Sequence, residues 1–294
     1  MTTSKKQTTY PTLTLDVTLN ANGFIDFSKS IFKKDTVTIT GVPSGYHELD
    51  ITTKGFQPAT LNVLAGSSKV GIDLLANNIA INSAKNGHSV LYITNASTSK
   101  LAMHFLSIES AIPFKNIAHG ALSPDELLII NKTSKQLALL NIFIVDNECF
   151  TLENILVDSI RIKQQQHIDF IIIDNLEAIC SIKSEGSHAN INTSITLLKA
   201  LAIALNVPVL LLSQMSGDFE TYNNKRPEIE DLHSSSILKQ CSELVLFLHR
   251  DEAYNPLTID PTTAELNIAE NRNGYKETIP LTFIRELMKF ENKK

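Results

Sequence analysis

The sequence predicts an α/β fold: a mostly parallel twisted sheet with flanking helices, plus a short N-terminal extension. An apolar run at residues 61–65 ends in a glycine loop, and residues 74–84 continue with apolar side chains near helical spacing. Residues 89–94 predict the next strand. A further apolar run at 168–174 ends in an aspartate, which is typical of a buried parallel strand that delivers a carboxylate to one edge of the sheet.

Length and composition favour one large domain. With 294 residues and 43% hydrophobic content, the chain can bury a full α/β core. We assign residues 37–294 to that domain and 1–36 to an extension, where alternation at 13–19 predicts a strand and an apolar cluster follows. No apolar run has the length of a membrane helix, and the start has no signal-peptide core. The three cysteines are far apart and form no C-x-x-C pair, which favours a cytoplasmic protein with reduced thiols.

The glycine loop has the frame of a phosphate-binding P-loop without its reactive side chains. Gly66 and Gly71 have the G-x-x-x-x-G spacing, but Ile72 and Asp73 follow where Lys and Ser or Thr are required. In a working loop the backbone N–H groups hold the phosphates, the Lys neutralises the β and γ oxygens, and the hydroxyl binds Mg²⁺. Ile72 supplies no charge. Asp73 adds a negative one, and its contact with a phosphate at roughly 4 Å costs about 4 kcal/mol at an effective dielectric of about 20.

The loop therefore predicts a vestigial nucleotide site at most. Its retained residues are Gly66, Ser67, Ser68, Lys69 and Gly71. We expect no bound cofactor and no metal, and only weak residual binding of ATP or ADP.

The strand-end aspartate, Asp174, has two interpretations. An apolar strand that ends in Asp is the Walker B pattern, in which the carboxylate holds Mg²⁺ through water. An ordinary Asp at the end of a strand can instead cap the following turn. The pattern by itself favours neither.

Short stretches further along the chain indicate a family. They are TGVPSGY at 40–46, LKALA at 198–202, LSQM at 212–215, NKRP at 224–227, DL at 231–232, HRDEAY at 249–254 and NRNG at 271–274. On these stretches, which run in family order, the chain from about residue 40 to its C terminus resembles the RecA-like ATPase domain of DnaB-family replicative helicases. The resemblance implies a RecA-like fold of the P-loop NTPase type. The family's N-terminal helical domain has no counterpart in residues 1–36.

The departures from the family pattern concentrate at catalytic positions. The family's P-loop Lys-Thr pair falls on Ile72 and Asp73, and its catalytic glutamate falls on Ala96. Removing a general base typically costs about 10²–10⁴ in rate. The Walker B and sensor positions, Asp174 and Gln214, are retained. The resemblance therefore predicts a protein without catalytic residues of its own.

Arg272 matches one member of the pair that, in the family, reaches the γ-phosphate of a neighbouring subunit. The companion Lys of that pair is Glu270 here. Arg272 could still act on a neighbour's nucleotide, or it could pair locally with Glu270. Both interpretations remain open at this stage.

The segments that hold single-stranded DNA in the family are poor in positive charge here. Lys225 and Arg226 are the candidate nucleic-acid contacts, but acidic residues at 218, 220, 228 and 230 flank them, and the formal net charge is −5. The other segment, 181–192, is polar and reads most simply as a solvated surface loop. Because phosphate contacts supply most single-strand affinity, we predict weak or no nucleic-acid binding.

The function we favour is that of a catalytically inactive DnaB-helicase-like protein. It would act in DNA replication by binding a protein partner, a replicative helicase or another replisome protein, as a regulator, loader or inhibitor. Self-association is compatible with the family. One alternative is a divergent ATP-dependent helicase in which Lys69 replaces the P-loop Lys. Another is a structural assembly protein that uses the RecA fold as a scaffold, which fold alone does not exclude.

Overall fold

A mixed sheet organises the part of the chain that the computed structural model describes, which is residues 38–146, 151–181, 191–215, 225–232 and 235–293. The strands are β1 (Leu61–Gly66), β2 (Val90–Thr94), β3 (Ile142–Asp146), β4 (Phe170–Asp174), β5 (Val209–Gln214), β6 (Ser242–His249), β7 (Thr263–Asn271), β8 (Thr278–Ile284) and β9 (Lys289–Asn292). The α-helices are α1 (His47–Thr53), α2 (Ile72–Lys85), α3 (Thr98–Ser110), α4 (Phe114–His119), α5 (Pro124–Leu137), α6 (Leu152–Gln165), α7 (Leu176–Ser181), α8 (Ile191–Leu205) and α9 (Ser235–Cys241). Short 3₁₀ turns lie at Ile229–Asp231, Asp251–Ala253 and Arg285–Leu287.

The strands form a nine-stranded sheet in the order β3-β2-β4-β5-β1-β6-β7-β8-β9. From β3 to β6 every neighbouring pair is parallel, and from β6 to β9 every pair is antiparallel. In the parallel half the registers Thr94↔Asp174 and Gly66↔Gln214 bring the carboxyl ends of adjacent strands to one edge. That edge is where open α/β sheets bind ligands.

Helices cover the two faces of the parallel half, and the burial pattern follows from this. Strands β1 and β2 are buried at every position, as expected for parallel strands packed on both sides. Leu64 and Ile172 pack on the face that carries α2 and α3, whereas Val63 and Ile171 pack on the face with α6 and α8. Strand β8, in the antiparallel half, alternates between buried and exposed positions.

The structure confirms the predicted fold class and the predicted elements around the loop. The strand predicted at 61–65 is β1, the helix predicted at 74–84 is α2, and the run at 168–174 contains β4. The proposed extension at 1–36 lies outside the described residues, so its boundary stays a prediction. None of the helices in the described residues is long and apolar enough to cross a membrane.

Candidate nucleotide pocket

The glycine loop connects β1 to α2 and forms hydrogen bonds between its own residues. Gly71 has φ 82°, a left-handed conformation that favours glycine, and it is the residue before the first turn of α2. The Val70 N–H donates to the Ser67 carbonyl at 3.2 Å, and the Lys69 N–H donates to Ser67 Oγ at 3.3 Å. These two N–H groups therefore bond within the loop, whereas a P-loop directs its N–H groups at phosphate.

Two side chains from the segment that follows β6 hydrogen-bond to the loop. Tyr254 donates its hydroxyl to Ser67 Oγ at 2.7 Å, and Arg250 donates to the Lys69 carbonyl at 2.9 Å. The Arg250 guanidinium is buried and lies 4.0 Å from the centroid of the Phe283 ring. Sequence reasoning used the HRDEAY stretch to recognise the family but gave these residues no role. Their signal was present, because an Arg directly after a buried strand needs partners.

Lys69 and the residue at the usual lysine position lie in different surroundings. The Lys69 ammonium is 5.7 Å from the centroid of the Tyr254 ring, within cation–π range, and its residue is exposed. Ile72 is 2% exposed and belongs to the apolar core under the sheet. The position that would carry the P-loop Lys is therefore a core packing position in this chain.

Asp73 and Asp174 line one small cavity at the carboxyl edge of the sheet. Its volume is about 20 Å³, and Asn77, Tyr92 and Thr94 also line it. Ala96, at the position of the family's catalytic glutamate, lies on the same cavity. The structure thus brings together the loop, Walker B and catalytic-base positions that the sequence singled out separately.

Burial and neighbouring charges shift the pKa values of several groups on this cavity, which Lys100 also lines. Burial, and next the charge of Asp73, raise the pKa of Asp174 from 3.8 to about 6. Burial, reinforced by the two aspartates, also raises the pKa of the Tyr92 hydroxyl. Burial lowers the pKa of His104, whose Nδ1 lies 3.2 Å from the amide nitrogen of Asn77. The pocket therefore contains two carboxylates, and the charge of Asp73 disfavours ionisation of Asp174.

Glu177, which the sequence analysis did not single out, accepts hydrogen bonds from Gln214 at the sensor position and from the preceding Ser213. Gln214 is exposed at the end of β5, and its backbone N–H donates to Glu177 Oε2 at 2.8 Å. Ser213 Oγ donates to the other carboxylate oxygen at 2.7 Å. Glu177 lies in α7, three residues after Asp174, and ties that helix to β5. A carboxylate so close to the Walker B strand could have been noted from spacing alone.

Arg272 has partners other than the one the sequence suggested. It donates to the carbonyl oxygens of Lys239 and Gln240 at 2.8 and 2.6 Å, at the C-terminal end of α9. Glu270 instead accepts from Lys276 at 2.7 Å. The local pairing of Arg272 with Glu270 is therefore wrong. A cation at a helix C terminus binds unsatisfied carbonyls and complements the helix dipole, and this explains the choice.

The two candidate nucleic-acid residues lie against side chains of β7 and of the segment that follows β6. Arg226 donates to both carboxylate oxygens of Glu265, at 2.8 and 2.6 Å. The Lys225 ammonium is 5.8 Å from the centroid of the Tyr254 ring. Residues 216–224 and 182–190, which belong to the two segments that hold single-stranded DNA in the family, lie outside the described residues.

Together, the parallel sheet, the loop between β1 and α2, and the carboxylate at the end of β4 define the RecA-like class of P-loop NTPase folds. The comparisons narrow this class. Residues 41–292 match the DnaB-like helicase C terminal domain family, and the chain belongs to that family.

Relatives of known function share this stretch at moderate identity. The chain is 34% identical over 258 residues to the replicative DNA helicase DnaB of Geobacillus stearothermophilus. This alignment covers 86% of this chain and 57% of the relative. The chain is 33% identical over 258 residues to the replicative DNA helicase DnaC of Bacillus subtilis, and this alignment also covers 86% of this chain and 57% of the relative. The chain thus spans 57% of the length of these relatives. A solved DnaB-like replicative helicase, described with its interactions with primase, superposes with a TM-score of 0.85 at 26% identity, covering 95% of this chain and 68% of that one.

Proposed function

We propose that this chain is a helicase-derived protein that does not hydrolyse ATP and acts in DNA replication by binding a replisome protein. The partner we favour is an active replicative helicase, which the chain would regulate, load or inhibit. One observation carries the proposal: Asp73, Ala96 and Asp174 line the same cavity, and the neighbouring residue Ile72 is buried.

The residues at this cavity do not fit a magnesium-bound triphosphate. A triphosphate needs a cation near its β and γ oxygens, and the position that would supply it carries the buried Ile72. Asp73 instead places a second carboxylate beside Asp174, and each contact with a phosphate at roughly 4 Å would cost about 4 kcal/mol at an effective dielectric of about 20. Ala96 supplies no base for an attacking water. The residues of this one cavity therefore disfavour both the binding of magnesium-bound ATP and its hydrolysis.

The protein-binding part of the proposal rests on what the fold retains. The matched family domain extends from residue 41 to 292, and the described residues of that range form its nine-stranded sheet and helices on both faces of the parallel half. We infer that the outer surfaces of this domain can still bind ring-forming relatives, although its nucleotide pocket is altered. Arg226 forms a bidentate ion pair with Glu265, so its charge is partly neutralised and less available to a DNA phosphate. This favours a protein partner over single-stranded DNA.

The enzymatic part is tested with purified protein, with and without single-stranded DNA. We expect no phosphate release above the blank in either case. Turnover that disappears in Lys69→Ala would overturn the proposal and favour the divergent helicase. Ile72 is buried, so the double variant Ile72→Lys with Asp73→Thr is first checked for native-like thermal unfolding. The folded variant should regain some nucleotide binding and still not hydrolyse ATP, because Ala96 remains. Rapid hydrolysis by the double variant would mean that the base lies elsewhere.

The partner is tested by affinity capture from the native host, followed by titration of the host's own replicative helicase. We expect the chain to bind that helicase and change its ATPase and unwinding rates. Capture of no replisome protein, with no effect on the purified helicase, would contradict the proposal and leave the assembly role. The oligomeric state of the isolated chain, measured by light scattering, tests self-association separately.

Arg272 offers a sharper version of the same titration. Arg272→Ala removes the side chain that could reach a neighbour's nucleotide, and Lys276→Ala is the matched control, because Lys276 is an exposed cation on the same loop. If Arg272→Ala binds equally well but changes the helicase rates differently from wild type and control, Arg272 acts in trans. If all three proteins act alike, Arg272 only caps α9.

A further inference from the structure

We propose that the outward sides of α6 and α8 form a docking surface for a second copy of this chain, which binds face to face and antiparallel. Both helices cover the face of the sheet on which Val63 and Ile171 pack, and they lie beside each other. Each leads into a parallel strand, β4 or β5, so the two helices run in the same direction. We call their combined outward surface the α6–α8 face.

The outward side of α8 has the composition of a buried surface. Its exposed positions recur at helical spacing and are Thr193, Thr196, Leu197, Ala200, Ile203 and Ala204. Lys199 is the one charged residue of α8, and its ammonium donates to the Ala59 carbonyl at 3.2 Å, toward the segment that precedes β1. A helix without charge on its outward side is typical of a helix that another element covers.

The neighbouring helix α6 enlarges this apolar surface. Val157 and Ile160 of α6 are 63% and 42% exposed, and Leu197 and Ile203 of α8 are 39% and 51% exposed. Soluble monomers rarely expose a contiguous group of large apolar side chains, and such a patch marks a protein interface. Ala200, between Leu197 and Ile203 on α8, leaves room for an apolar side chain from a packed helix.

The charges along α6 favour a second copy as the partner. Glu153 lies in the first turn of α6 and Arg161 in its C-terminal half, both exposed, with Val157 midway between them. In an antiparallel arrangement Glu153 meets Arg161 of the second copy, and a two-fold contact makes the same pair twice. Arg161 also donates to Asp158 at 2.8 Å, and its side chain remains 53% exposed. Antiparallel packing also opposes the dipoles of the helices in the two copies, whereas parallel packing would align them.

The α6–α8 face lies on the side of the sheet opposite α2, which carries Asp73 of the nucleotide pocket. A two-fold contact closes after two chains, so it differs from the head-to-tail contacts that build rings. The inference goes beyond the proposed function. ATP hydrolysis by wild type would contradict that function and leave the dimer unaffected.

The test is the molar mass of the full chain without nucleotide, measured by light scattering and sedimentation equilibrium from about 1 to 100 µM. We expect the mass to rise from 32.5 kDa to twice that value. Val157→Lys brings two like charges together near the two-fold axis and should raise the dimer dissociation constant at least about tenfold. Leu128→Lys is the matched control, because Leu128 is also exposed on a helix, α5, which lies on the opposite face of the sheet. It should dimerise like wild type.

A charge exchange tests the antiparallel arrangement. Glu153→Lys and Arg161→Glu should each weaken the dimer about threefold, because each brings like charges together across the interface. The double variant with both changes restores opposite charges and should regain most of the wild-type affinity. Thermal unfolding of every variant verifies that it is folded.

Three outcomes would overturn the proposal. The first is a wild type that stays monomeric over the whole range; if Val157→Lys then abolishes binding to the host's replicative helicase, the face docks that protein instead of a second copy. The second is a dimer that Val157→Lys leaves intact, or that Leu128→Lys weakens equally. The third is a double charge variant that dimerises no more tightly than the two single variants.

Discussion

The two ends of β4 carry the same residue type in opposite surroundings. At the amino end, Asp169 accepts from the Ser89 N–H at 2.8 Å, and His167 Nε2 lies 2.7 Å from its other oxygen. At the carboxyl end, Asp174 faces Asp73 and has a pKa raised to about 6 by burial and by that charge. We therefore expect Asp169 to stabilise the sheet and the ionised Asp174 to destabilise it. Such a cost is expected at a functional edge, where binding rather than packing sets the residues.

The largest effect should come from Asp174→Asn. The folded pKa of about 6 exceeds the ordinary 3.8, so the folded state binds more protons than the unfolded state between these values. The penalty is therefore complete above about pH 7 and absent below about pH 4. In the presence of a chelator, the variant should be more stable than wild type by about 2–3 kcal/mol at pH 7.5.

Urea denaturation of both proteins at pH 7.5 and pH 4.5 measures this effect. The difference between them should shrink as the pH falls through 6. A variant that is less stable than wild type at pH 7.5 would show that the partners of the Asp174 carboxylate outweigh its burial and the charge of Asp73, and the contrast between the two ends of β4 would be lost.

At the other end, Asp169→Ala should destabilise the protein. It removes the acceptor for the Ser89 N–H, and Ser89 is 6% exposed, so a buried donor is left unpaired. The expected loss is about 2 kcal/mol in the free energy of unfolding. Asp169→Asn keeps an acceptor oxygen and should recover most of that loss. Equal losses in both variants would instead assign the effect to charge.

The smallest effect is expected from Asp73→Asn. Removing this charge lowers the pKa of Asp174 toward its usual value, because Asp73 is the second cause of its shift after burial. Compared with Asp125→Asn, which loses the same favourable contact with a helix N terminus, the variant should be more stable by about 1 kcal/mol at pH 7.5. Titration of Asp174 by NMR gives the direct readout, and an unchanged pKa would mean that the two carboxylates do not interact.

The local parts of the fold could be predicted because their signals are local. The strand before the glycine loop, the helix after it and the strand that ends at Asp174 follow from hydrophobic period and turn residues within short windows. The degenerate positions Ile72, Asp73 and Ala96 were also identified by spacing and order along the chain. The pairing of Arg272 with Glu270 failed because it assumed that a near neighbour in sequence is the nearest acceptor. The carbonyls at the end of α9, some thirty residues earlier, are the actual partners.

The sequence by itself determined the class of fold, the family and the loss of the P-loop Lys and catalytic-base side chains, since each depends on residue identity at short and regular spacings. Only the tertiary structure decided that Asp73, Asn77, Tyr92 and Asp174 share one cavity. It also decided that Tyr254 and Arg250 hold the loop across separations of 187 and 181 residues. Contacts of this kind join side chains from different strands and helices, and their distances depend on sheet order and register, which no local pattern encodes.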